Sequence, residues 1–249
     1  MAGEDRFFRY SRQMLVPYIG RAGQERLQSA KVGLIGCGAL GSAVANNLVR
    51  AGVGLLRIAD EDYPEIHNLH RQVLFTEQDV ARRVPKAQAA AAHLREVNSE
   101  VAVEPVVGTI DAETVAPFAE GLDILVDGTD NFLTRFVIND HAVRNEIPWV
   151  YGGVIGSSGM SMTVVPGDGP CLRCFVRDLP SGEHSPTADV AGVLNTIVAL
   201  IASVEANEVV KLVVDPEARS RHLLLVDVWD LAFERLVVPR DPVCPCCGV

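Results

Sequence analysis

The stretch KVGLIGCGALGSA, Lys31 to Ala43, constrains this chain more than any other. A short apolar run enters a turn with glycines at 36, 38 and 41, and small residues follow. The run reads as a buried strand, and the residues after it as a helix from about Ala39 to Ala51, stopped by Gly52. Gly36 and Gly38 allow a tight turn and close approach of backbone to phosphate, and Gly41 lets the helix pack on the strand. The helix N-terminus then presents free N–H groups and a positive dipole end to an anion. A second strand, LLRIAD, closes on Asp60 about 20 residues downstream, where a carboxylate takes a ribose hydroxyl pair. A nucleotide site follows, with NAD and ATP both open, because adenine and ribose are common to the two.

The rest of the chain alternates in kind. PKAQAAAAHLREVN is helical by its straight-chain, Ala-rich composition, VAVEPVV is strand-like, and AETVAPFA is helical. LDILVDGTD is a strand ending in an acidic loop, RFVINDHAVRNE a helix and WVYGGV the next strand. Such alternation predicts an α/β fold with a mostly parallel, doubly wound sheet. RFFRYSRQML and GQERLQSA read as two N-terminal helices. After Gly152 the pattern changes. SGMSMTVVPG adds an antiparallel strand, and RDLPSGEHSPTADVAG is an exposed polar loop. VLNTIVALIASVEANEVVKLVV is a long apolar helix, and HLLLVDVWD with FERLVVP makes a terminal hairpin. Asn195, Ser203, Glu205 and Lys211 make the long helix a core or subunit-interface element and not a membrane span. Residues 1–249 are expected to form one domain: N-terminal helices over 1–30, a nucleotide-binding half over 31–152, and a second half over 153–249 with a crossover loop at about 177–191.

Composition enters as exclusion. With 48% hydrophobic residues a sizeable core is expected, and a net charge of −10 argues against non-specific nucleic-acid binding. The polar start MAGEDRFFRY is no signal peptide and no apolar run spans a bilayer, so the expected compartment is cytoplasmic, with no membrane partner. Only Lys31, Lys86 and Lys211 are lysines. The motif NLHRQ (Asn68 to Gln72), Lys86 and DGTDN (Asp127 to Asn131) fall near one sheet edge. Asp60, Asp127 and Asp130 lie at or just beyond strand ends and are expected to converge on one crevice. Arg71 and Lys86 suit a polyphosphate and Asp130 suits Mg²⁺. A triphosphate uses this equipment and a dinucleotide does not need it; taken singly, Arg71 and Lys86 are better read as solvated surface charges.

RYSRQ, GCGALG, DEDYPEIHNLHRQ, PKAQ and DGTDN, in that order, make the chain resemble the MoeB/ThiF/HesA family of ubiquitin-activating-type adenylyltransferases, with molybdopterin-synthase adenylyltransferase the nearest architecture. The resemblance runs from Arg9 to Cys247. It implies a Rossmann-like domain whose second half binds a carrier protein. It also implies ATP-dependent activation of the C-terminal glycine carboxylate of a ubiquitin-like sulfur carrier ending Gly-Gly, as acyl-AMP, with release of pyrophosphate. By resemblance, Gly36, Gly38, Ala39, Gly41, Asp60, Asp62, Asn68, Leu69, Arg71, Gln72, Lys86, Asp130 and Asn131 hold ATP and Mg²⁺. The catalytic residues so implied are Arg12, Arg71, Lys86 and Asp130. Arg12 would come from the second subunit, so a homodimer is implied. The pathway is molybdopterin, thiamine or another thiolated product. Two positions depart from the family: Ala39 stands where Gly is usual, and VARRVPK has Ala81 for Gly and two extra residues, which puts the reach of Lys86 in question.

Cys171-x-x-Cys174 and Cys244-x-x-Cys247 are two knuckle-type pairs, suited to a structural Zn²⁺ with no open position. A redox pair or unconnected thiols are the alternatives, and the resemblance favours zinc. Cys246 is a spare that would compete as ligand, and Cys37 is read as a packing residue. The family's crossover-loop cysteine falls on Ala188, and that loop has no cysteine, so a thioester there is chemically impossible. With no sulfur-transfer domain expected after Val249, a separate sulfur donor is implied. The competing readings are an enzyme adenylating a peptide C-terminus, an NAD(P)-linked oxidoreductase with structural zinc, and a non-catalytic protein of the same fold.

Overall fold

The computed structural model describes residues 6–178 and 191–248. Most of the expected crossover loop, including Ala188, lies outside the described residues. Helix α1 (Gly20–Ser29) leads into β1 (Lys31–Ile35), whose four residues after Lys31 are all buried. Helix α2 (Ala39–Ala51) follows the glycine turn and ends as expected: Gly52 adopts φ 83° and its N–H returns to the carbonyls of Leu48 and Val49. Then come β2 (Leu55–Ala59), α3 (Glu77–Arg82), α4 (Lys86–Val97), β3 (Ala102–Val106) and α5 (Val115–Ala119). The chain continues through β4 (Ile124–Asp127), α6 (Phe132–Arg144), β5 (Trp149–Ile155) and β6 (Ser158–Val164), then α7 (Asn195–Val214), β7 (Leu223–Asp227) and β8 (Ala232–Leu236).

The eight strands form one sheet in the order β3-β2-β1-β4-β5-β6-β7-β8. The first five pair in parallel and the last three are added antiparallel. Helices α2, α4 and α7 cover one face through Leu48, Leu94, Ile201 and their neighbours. Helices α5 and α6 cover the other through Phe118, Phe136 and Ile138, which meet Trp149 and Tyr151 of β5. Connections leave β1 toward β2 on one side, while β4 lies on its other side. That reversal opens a crevice beyond the strand ends.

Several expectations change. RFFRYSRQML forms two 3-10 turns, Phe8–Tyr10 and Gln13–Leu15, in place of an α-helix. Val16 is extended ahead of Pro17, which stops any helix there. Tyr10 is instead used for packing, and its hydroxyl accepts from Asn98 Nδ2 at 2.8 Å. Helix α3 was unforeseen, although its capping box is present: Thr76 Oγ1 accepts from the Asp79 N–H, and the Asp79 carboxylate accepts from the Thr76 N–H. Helix α6 starts three residues earlier than its apolar pattern, at the Asn131 cap, and α5 is a single turn and a half. Helix α7 is a core helix. No helix among the described residues is long and apolar enough to cross a membrane.

Candidate active site

A crevice of 380 Å³ sits at the carboxyl ends of β1, β2, β4 and β5. Its floor is the glycine turn. Gly36 adopts φ +88°, and a Cβ there would lie 2.6 Å from the Gly128 carbonyl oxygen. A Cβ on Gly41 would lie 2.0 Å from the Gly36 carbonyl oxygen. The turn, the first turn of α2 and the loop after β4 therefore stack at distances that exclude any side chain. Gly38 and Ala39 line the crevice above them, while Gly41 supports the turn from below. Cys37 is wholly buried, and burial pushes its thiol well up, which fits packing and not nucleophilic attack.

Asp60 is fixed by main chain. Its Oδ2 accepts from the Cys37 N–H at 2.6 Å and its Oδ1 from the Asp62 N–H at 2.8 Å. Burial raises its pKa against the opposing pull of Lys86 and these two N–H groups. Lys86 opens α4 and is buried. Its N–H donates to the Asp62 carbonyl at 2.8 Å and its Nζ to Asp62 Oδ2 at 2.9 Å. Arg83, in the left-handed region at φ 51°, and Pro85 carry the chain between α3 and α4, and Lys86 arrives on the crevice wall despite the longer loop. The joint is braced by Asp79, which accepts from Thr76 and pairs with His93 Nε2 at 2.9 Å.

Asp62, Arg71, Gln72, Asp130 and Asn131 also line the crevice. Arg71 is half-buried, its Nη1 donating to the His67 carbonyl at 2.9 Å. Gln72 is buried, and its Oε1 has no hydrogen-bond partner among the described residues. An orphaned acceptor in a crevice wall fits a site built to receive a ligand donor. Asp130 is exposed, and Asn131 Oδ1 caps α6 by accepting from the Thr134 N–H at 2.9 Å. Three predicted residues lie elsewhere. Asn68 turns its Oδ1 to the Glu65 N–H at 3.1 Å, Leu69 packs against the core, and Arg12 is exposed away from the crevice wall.

Asp127 does not converge with Asp60 and Asp130 on the crevice wall. It is fully buried and works inward. Its Oδ1 accepts from the N–H and Oγ1 of Thr129 at 2.9 and 2.6 Å, and its Oδ2 from Arg135 Nε at 2.8 Å. Arg135, on α6, lines the crevice and was missed in the sequence. Its Nη2 donates to the carbonyls of Thr129 and Gly152 at 2.8 and 3.0 Å, and its guanidinium lies 5.2 Å from the Tyr151 ring centroid. The signal was an arginine eight residues after a strand-end aspartate, which the helical pattern alone did not mark. At the other end of the crevice Gly153, Val154, Ile155, Met160 and Val193 make an uncharged wall.

The four cysteines of the two pairs meet away from the crevice. Their sulfurs lie within 4.8 Å of one another, with Cys171–Cys244 at 3.6 Å and Cys174–Cys247 at 3.4 Å. A tetrahedral ZnS₄ site separates its sulfurs by about 3.8 Å, so this donor set fits Zn²⁺. Cys246 is not one of these four; its Sγ accepts from Asn139 Nδ2 at 3.3 Å, and it interacts with Cys171 at the edge of the cluster.

The pattern of the ThiF family matches residues 10–246. The sulfur carrier protein ThiS adenylyltransferase of Bacillus subtilis is 43% identical over 242 residues, which is 96% of this chain and 71% of that protein. The SAMP-activating enzyme E1 of Haloferax volcanii is 39% identical over 96% of this chain and 88% of its own. Among solved structures, E. coli MccB with ATP superposes with a TM-score of 0.83 at 25% identity, over 97% of this chain and 74% of that one.

Proposed function

This chain belongs to the ThiF family and is an adenylyltransferase, and from that premise we propose that it activates the C-terminal glycine carboxylate of a ubiquitin-like sulfur carrier with ATP. The observation that carries the reading is the meeting of the glycine turn, Asp60, Arg71, Lys86 and Asp130 on one crevice. The adenosine ribose sits on Asp60, whose two backbone donors leave its oxygens aimed and preorganised. The glycine turn and the α2 N-terminus receive phosphate. Arg71, Lys86 and Arg12 of a second subunit screen the polyanion so that a carboxylate can approach it. Asp62 holds the Lys86 ammonium in place until phosphate competes for it.

Asp130, exposed beside Asn131, is the residue that would hold Mg²⁺, which supplies charge neutralisation for the leaving pyrophosphate. The carrier tail runs along the uncharged wall at Gly153 to Ile155, where a Gly-Gly end fits close to the strand. Its terminal carboxylate oxygen attacks the α-phosphorus, the bond to the bridging oxygen breaks, and acyl-AMP and pyrophosphate result. Arg135 steadies the Asp130 loop through the Thr129 carbonyl. The chain carries no cysteine between Cys174 and Cys244, so the adenylate passes to a separate sulfur donor and no crossover-loop thioester forms. The four-cysteine cluster holds structural Zn²⁺ and takes no part in the chemistry. A homodimer with composite sites is part of the same reading.

Pyrophosphate exchange into ATP tests it. Exchange is expected only with Mg²⁺ and a Gly-Gly-ended carrier, and Asp130→Ala should lower it about 100-fold. Exchange unaffected by that substitution would overturn the assignment of Asp130. Exchange supported by a free peptide and by no carrier would overturn the substrate.

A further inference from the structure

Among the described residues, Glu205 is the buried carboxyl that this chemistry leaves unused and that has no hydrogen-bond partner. It lies in the middle of α7, is 0% exposed, and neither of its oxygens has a hydrogen-bond partner among the described residues. Its head presses on β5 at Gly152: a Cβ there would come 2.3 to 2.7 Å from three carboxyl atoms of Glu205. Gly152 is therefore the position that makes room for it. Ser161, which pairs with Gly152 across β5 and β6, is also buried with an unpartnered hydroxyl. Gly159 packs on Ile197 and Ile201, and Thr163 Oγ1 donates to Glu208 at 2.8 Å. Ser161, between them on the same face, looks toward the turn of α7 that carries Glu205.

The neighbours of Gly152 on β5, Tyr151 and Gly153, line the crevice. Strand β4 stops pairing with β5 at Val150, and the Gly152 carbonyl takes Arg135 Nη2 in place of a strand partner. Arg135, coming from α6, and Glu205, coming from α7, thus reach the same residue from the two faces of the sheet. Arg135 now spends its donors on Asp127, Thr129 and Gly152. An ionised Glu205 would be a second carboxylate competing for that guanidinium.

We propose that Glu205 is a positioning residue that acts through Arg135 on the nucleotide crevice, holding the guanidinium on Asp127 and Thr129 as long as its own carboxyl carries a proton. The groups that face it agree. Burial raises its pKa well above the usual carboxylate range, Asp127 raises it further, and only Arg135 opposes. Tyr151 of β5 is the other titratable neighbour. Strand β6 offers Ser161 and Thr163, which do not titrate, and α2 carries one charged residue, Arg50, which is exposed and donates to Asn46. On α7 itself, Glu208 is occupied by Thr163, Ser220 and Lys211.

The inference rests on the nucleotide site proposed above, and its test separates the two. Mg-ATP affinity and carrier-dependent exchange are measured from neutral to alkaline pH in wild type and in Glu205→Gln, with Glu205→Met as a second uncharged variant should Gln not fold. Wild type should lose affinity on the alkaline side, about tenfold per pH unit once the carboxyl ionises. In the variants that alkaline fall should vanish. Superimposable profiles would overturn the proposal. Wild type that binds no ATP would overturn the nucleotide site instead, and thermal melting then decides for Glu205. A native carboxyl with raised pKa costs stability as pH rises, so the variant should gain on wild type toward alkaline pH. A pH-independent difference would count against it.

Discussion

At residue scale, the two glycines nearest the phosphate turn leave no latitude. Gly41→Val would drive a side chain into the Gly36 carbonyl, and ATP binding should fall at least about tenfold with the fold retained. Isothermal titration would show it. Asp127→Ala should act differently. It leaves Arg135 charged and unpaired in the interior, at a cost of about 3–5 kcal/mol read as a lower urea midpoint. Both residues stand in motifs that a reader can find in the sequence, but only one had its role legible there. Gly41 follows from a turn that must admit a helix close to a strand. Asp127 was grouped with Asp60 and Asp130 because all three end strands. The side on which the carboxylate falls is set by Arg135 and Thr129, and neither residue carries a mark in a linear pattern.

At the scale of elements, the α3–α4 joint shows where prediction failed and chemistry can still be read. A helix of six residues has too few apolar repeats to announce itself, and its capping box was the only sign. Burial raises the Asp79 pKa, but the hydrogen bonds from Thr76 and His93 outweigh it and leave it lowered. A lowered carboxylate pKa stabilises the native state above the unfolded pKa, and that contribution is lost as pH falls through the folded one. Asp79→Ala should therefore cost about 1–3 kcal/mol at neutral pH and much less in acid, measured by urea melts at two pH values. It should also weaken ATP binding, because Lys86 begins the helix that Asp79 braces. The cysteine knuckles are the opposite case. Two C-x-x-C pairs predicted their own meeting, since thiolates at that spacing serve one ion. With the Zn²⁺ proposed for this cluster bound, a chelator should lower the melting temperature while leaving Mg-ATP affinity of the remaining folded protein within about twofold, because the cluster lies outside the crevice.

For the whole molecule, strand–helix alternation gave the sheet and its parallel half, and the change after Gly152 gave the antiparallel half. What sequence could not supply was the site's completeness. Arg12 lies off the crevice wall of its own chain. If it serves a partner's site, mixing Arg12→Ala and Asp130→Ala chains, each nearly inactive alone, should restore about a quarter of wild-type exchange through mixed dimers. No recovery on mixing would argue that each chain works with its own arginine. The sheet itself carries a last consequence. Strand β4 ends at Asp127 while β5 runs on to Ile155, and one guanidinium occupies the rung where pairing stops. The crevice is thus an unclosed zipper in an otherwise filled interior. A chain built this way can change what it admits by moving the stop of one strand, with every core contact behind it left as it was.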